Sequence, residues 1–139
     1  MKNSIDYDND GKVDRIINHR NNQAESIIYY EYNENGERTK VSSDKNLDGK
    51  IDFISYDKES ADGKTFIRKR DNNADGVIDE VWKFTYDDNG KLTKREIDND
   101  NDGKFDEKDK FDKNGEIIKQ SKLQSLPSMI LNFFKNLFS

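Results

Sequence analysis

Asp71-Asn72-Asn73-Ala74-Asp75-Gly76-Val77-Ile78-Asp79 runs straight into Glu80-Val81-Trp82-Lys83-Phe84-Thr85-Tyr86, an acidic loop joined to an alternating apolar run. The first nine residues place oxygen side chains at positions 1, 3, 5 and 9, a glycine at 6 and an apolar residue at 8. The next seven alternate β-branched and aromatic residues with period two, which predicts a strand directly after the loop. The same nine-residue phrase stands at Asp6 to Asp14, Asp44 to Asp52 and Asp98 to Asp106.

Such a loop fits a hard cation. Alternate side chains of a tight loop converge, and the glycine takes the positive φ that turns the chain. The expected ligands are Asp6, Asp8, Asp10 and Asp14 in the first loop, and Asp44, Asn46, Asp48 and Asp52 in the second. The third offers Asp71, Asn73, Asp75 and Asp79, and the fourth Asp98, Asp100, Asp102 and Asp106. Position 7 (Lys12, Lys50, Val77 and Lys104) contributes its backbone carbonyl. An all-oxygen flexible shell suits Ca²⁺ better than Mg²⁺ with its stricter octahedron, so up to four calcium ions are expected, one per loop. Hairpin turns alone would need the Asp-Gly pair, not oxygens at three further fixed positions in every copy.

The pattern fails as an EF-hand, which needs a bidentate Glu at position 12 on a following helix. Position 12 is Ile17, Ser55, Trp82 and Asp109. The loop followed by a strand resembles the calcium loops of FG-GAP repeats in integrin-like β-propellers, over about nine residues per copy. That resemblance implies the ion and not the whole fold, because the FG and GAP segments are missing and the copies are too closely spaced for four-stranded blades. Thrombospondin type 3 repeats also carry Asp-rich loops but depend on cysteine, which this chain lacks.

A second punctuation mark falls between the loops: Tyr32 to Gly36, Tyr56 to Gly63, Tyr86 to Gly90 and Phe111 to Gly115, ending in Asn-Gly or Asp-Gly. These are hairpin signals, similar in composition to the turns of bacterial YD-type repeats. The expected fold is mainly β: an antiparallel meander of calcium-loop hairpins over residues 1–124, with one C-terminal amphipathic helix at 125–139 packed on the sheet. Counting back by twos from the turn aromatics puts Tyr32, Tyr30, Ile28, Tyr56, Ile54, Tyr86, Phe84 and Trp82 on one face. The first copy carries extra residues around His19 to Glu25, read as an added reversal that moves the first loop to the opposite sheet edge; one long bulged strand is the alternative.

Composition sets the rest. The chain has 139 residues, 31% hydrophobic and 38% charged, and so offers little apolar surface against its ordering entropy. Four divalent ions would reverse the sign of its formal charge of −5. The helix expected after Ser128 would present Ile130, Phe133, Phe134 and Leu137 as a lid on the aromatic face, with docking to a protein partner or insertion into a membrane surface as the alternatives. Its length is too short to span a bilayer.

Met1-Lys2-Asn3 leads directly into the first loop without an apolar signal segment, which suggests a mature fragment or a leaderless intracellular protein. Loops without a bidentate Glu fit millimolar calcium, which favours an extracellular or cell-surface location. Catalysis is not expected: there is one histidine, no cysteine and no phosphate-cradling or zinc motif. Nor is nucleic-acid binding, because Arg68, Lys69 and Arg70 stand beside an acidic loop. The function expected is a calcium-stabilised, non-enzymatic interaction module. A small inhibitor or immunity-type protein with structural calcium is the runner-up, and a calcium-dependent membrane-surface protein comes third.

Overall fold

Ten strands, joined in sequence order, form one antiparallel sheet in a computed structural model that describes residues 1–122. They are β1 (Lys2–Ile5), β2 (Arg15–Arg20), β3 (Gln23–Tyr32), β4 (Arg38–Asp44), β5 (Phe53–Glu59), β6 (Thr65–Asp71), β7 (Glu80–Tyr86), β8 (Leu92–Asp98), β9 (Glu107–Phe111) and β10 (Ile117–Lys122). The expectation of a mainly-β fold with a C-terminal helix packed on the sheet is corrected. The described residues are all-β, with no helix among them. Ile130, Phe133, Phe134 and Leu137 lie outside the described residues.

Every connection in a sequential meander reverses the chain, so loops alternate between two sheet edges. The second, third and fourth acidic loops join β4 to β5, β6 to β7 and β8 to β9, and share one edge. The first joins β1 to β2 and falls on the other edge, because β2 and β3 add a reversal through Asn21 and Asn22, both at positive φ. Side-chain contacts agree. The Tyr32 hydroxyl donates to the Val13 carbonyl at 2.8 Å, and Lys12 Nζ lies 5.6 Å from the Tyr32 ring centroid.

The hairpin turns at the other end are held by an acceptor side chain. Asn33 Oδ1 takes the N–H groups of Asn35 and Glu37, and Asp87 and Asp112 take the corresponding pairs. Tyr32, Tyr86 and Phe111 stand immediately before these residues. The β5–β6 turn starts instead at Ser60, so the residue equivalent to those aromatics is Glu59, three positions after Tyr56. An odd offset exchanges the faces of a strand. Tyr56 and Ile54 therefore do not align with Tyr30 and Trp82: Tyr56 pairs with Lys40 and Lys69, while Phe53 and Ser55 pair with Ser43 and Arg70.

On the aromatic face, arginines lie between the rings. Arg38 is 5.3 Å from the Tyr30 centroid, Arg68 5.4 Å from Phe66, and Arg70 5.2 and 5.5 Å from Phe53 and Trp82. Phe84 lies 6.0 Å from Phe66 and 6.1 Å from Trp82. Each guanidinium also meets a carboxylate. Arg68 Nε and Nη2 donate to Asp57 at 2.7 and 2.9 Å, Arg70 to Glu80 at 3.2 Å, and Arg95 Nε to Asp109 at 2.9 Å. The side chains of Asp57 and Asp109 are 1% exposed. Ile97 is the one buried hydrophobic residue among those described, so this ring-and-guanidinium network stands where an apolar core would be. Each cation–π contact adds roughly 0.5–1 kcal/mol where exposed and about 2 where desolvated.

Candidate metal centre

Each acidic loop is closed by the same four hydrogen bonds. The N–H of position 9 donates to the carbonyl just before position 1, as Asp52 does to Ser43 at 2.8 Å, and so zips the base. The glycine N–H donates to the position 1 carboxylate at 2.9 Å in all four loops. The N–H of position 2 donates to one oxygen of position 9, at 2.7 Å in the first three loops and 2.8 Å in the fourth. The N–H of position 7 donates to the position 5 carboxylate at 2.8 Å in every copy.

The frame demands left-handed backbone at two places. Glycine meets that demand at position 6, as Gly49 does with φ 83°. Position 4 meets it without glycine: Asn9, Leu47, Ala74 and Asn101 have φ between 54° and 59°. Asn tolerates this region, whereas Leu47 and Ala74 carry a cost of about 1–2 kcal/mol each. Sequence reading passed over position 4; its one available signal was the pair Asn9 and Asn101.

The carboxylates gather at positions 1, 3 and 9. Oxygens of Asp6, Asp8 and Asp14 lie within 4.8 Å of one another, and those of Asp98, Asp100 and Asp106 do the same. The second and third loops hold the same frame with Asn46 and Asn73 at position 3, so each has two acids there instead of three. Position 5 stands outside both clusters of three. Asp10 is turned to Lys12 Nζ at 2.9 Å, a contact that lowers its carboxyl below the ordinary range. For the position 7 residues Lys12, Lys50, Val77 and Lys104, the structure shows the N–H engaged with position 5.

One oxygen at position 1 has no partner where it would need one. Asp44 is 4% exposed and accepts the Gly49 N–H on Oδ2, while its buried Oδ1 accepts no hydrogen bond; Asp6 Oδ1 is left the same way. A buried acceptor without a donor costs about 1–3 kcal/mol, and more when charged. In the fourth loop burial pushes Asp98 up, but the N–H groups of Gly103, Asp102 and Asp100 outweigh it and hold the carboxyl below its usual value. Asp100 is shifted upward, first by desolvation and then by the charge of Asp102. Crowded acids, an orphaned buried oxygen and an all-oxygen donor set fit a cation: the clustered acidic residues can bind a metal.

The loops on the common edge also touch. Asn101 Nδ2 of the fourth donates to the Ile78 carbonyl of the third at 3.2 Å. No protein-family model matches the chain, and no curated protein is detectably similar to it.

Proposed function

We propose that this chain is a calcium-binding β-hairpin module, non-enzymatic, whose ions stabilise a thin sheet used for protein interaction outside the cell or at its surface. The observation that carries the reading is the buried, unpartnered Oδ1 of Asp44, set in a loop frame that recurs at the carboxylate clusters of the first and fourth loops. Positions 1, 3 and 9 would supply side-chain oxygens in each loop. Calcium, when bound, supplies charge neutralisation and a crosslink between the two strands that each loop joins. The protein's own part is to hold the carboxylates together through backbone N–H groups and, in the last three loops, to keep water from position 1 by burying Asp44, Asp71 and Asp98. The likeness of the loops to FG-GAP calcium loops points the same way. Carboxylates engaged with an ion are not free to act as general acids, which supports a non-enzymatic role.

The test is thermal unfolding of the full chain in millimolar calcium, in excess chelator and in magnesium. Binding to the native state alone adds about 2.7 kcal/mol per site at a hundredfold excess over Kd. Calcium should raise the melting temperature well above both other conditions. Equal melting in calcium and chelator overturns the proposal.

A further inference from the structure

The two faces of the sheet treat charge differently. On the aromatic face Arg38, Arg68, Arg70 and Arg95 each have a carboxylate partner. On the opposite face the register sets Lys58, Ile67, Lys83, Glu96 and Lys108 in one row across β5 to β9. The adjoining row runs Thr65, Thr85, Lys94, Lys110 and Lys119. Lys69 lies beside Tyr56. The two mid-strand glutamates of this face, Glu31 and Glu96, are already engaged at 2.8 Å by Lys40 and Lys94. Lys58, Lys69, Lys83, Lys108, Lys110 and Lys119 have no ion-pair partner among the described residues.

Like charges directly opposite across strands destabilise a sheet, and Lys110 faces both Lys94 and Lys119. We propose that this lysine face docks on an anionic lipid bilayer. Three features favour that partner. With strands about 4.8 Å apart, lysines on alternate strands stand roughly 10 Å apart, a two-dimensional array suited to a surface of headgroups. Ammonium groups recognise phosphate as point charges, without the planar fork that reads a particular partner geometry. Tyr56, 42% exposed among Lys40 and Lys69, adds an amphipathic ring suited to the headgroup layer. A single-stranded nucleic acid would need a series of open rings for stacking, whereas the rings opposite are already covered by arginine. The inference stands on the strand register and does not rest on the metal reading.

Vesicle sedimentation at low salt tests it, using the full chain with phosphatidylcholine vesicles and with the same vesicles containing about a third phosphatidylserine, the anionic lipid that attracts basic surfaces. The variant is Lys58→Gln/Lys83→Gln/Lys108→Gln. Its charge-matched control is Lys2→Gln/Lys91→Gln/Lys113→Gln, with circular dichroism confirming that both fold. Each comparison is made within calcium and within chelator, so failure of the metal reading leaves it intact. The parent should bind only the anionic vesicles, the face variant should lose about 100-fold at roughly fivefold per lysine, and the control should lose far less. Equal binding to neutral vesicles, equal losses in both variants, or face-dependent binding to an oligonucleotide instead of vesicles would overturn the proposal.

Discussion

Leu47 and Ala74 hold a backbone conformation that their side chains disfavour, at φ 58° and 54°. The strain persists because the frame around it is over-determined by the N–H groups of positions 2, 5, 6 and 7. Leu47→Asn should therefore stabilise the metal-free protein by about 0.5–1 kcal/mol, since Asn visits this region readily. A rise in the urea midpoint in chelator checks it. Asp100 is disfavoured in its charged form, first by desolvation and then by Asp102. Its raised carboxyl favours the fold when protonated, a contribution present at low pH and lost as pH rises through its native value. At neutral pH its charge opposes folding until a cation arrives. Asp100→Asn should stabilise the chelator-treated protein at pH 7, give no gain in acid, and weaken metal binding at the fourth loop. Asp98 runs the other way: its carboxyl is lowered, so its contribution is present above the ordinary carboxylate range and lost as pH falls. Melting temperatures across pH with and without calcium separate these effects.

Strands and turns were legible in the sequence because Asp-Gly and Asn-Gly pairs and period-two runs are local signals. Face assignment was less so. Counting back from Tyr56 assumed that every turn begins just after an aromatic, as it does at Tyr32 and Tyr86, but this one begins at Ser60. Counting forward from the acidic loop keeps one register: Phe53, Glu80 and Glu107 at the first position, then Ser55, Trp82 and Asp109 on the same face. Two substitutions test that register. Phe84→Ser removes a ring packed against Phe66 and Trp82, at a cost of about 3 kcal/mol. Tyr56→Ser, on the open face, should cost under about 1 kcal/mol. Equal losses in denaturant melts would contradict the placement. The arginine network could not be read from spacing, since its members meet only through cross-strand pairing. Asp57→Asn removes the carboxylate shared by Arg38 and Arg68. With Arg68 a third open to water, the expected loss is about 1–3 kcal/mol, read as a lower denaturant midpoint.

The thin core and the acidic loops are physically linked. One buried hydrophobic residue among those described, and a surface rich in charge, leave the stability of the sheet to hairpin hydrogen bonds, the ring-and-guanidinium layer and, in the proposed function, bound ions. The acidic loops were legible as a set of four, but which of their oxygens gather was not. The sequence treats positions 3 and 5 alike, whereas folding gathers position 3 with positions 1 and 9 and leaves position 5 outside the clusters. Charge then ranks the sites: loops one and four, with three gathered acids, should bind more tightly than loops two and three. Calcium binding by the loops is checked by calorimetric titration of the full chain, set beside an Asp8→Asn/Asp100→Asn variant. The parent should bind calcium saturably, with a tighter class of sites that the variant loses and little competition from equal magnesium. No saturable calcium binding, or identical titrations of parent and variant, would contradict it.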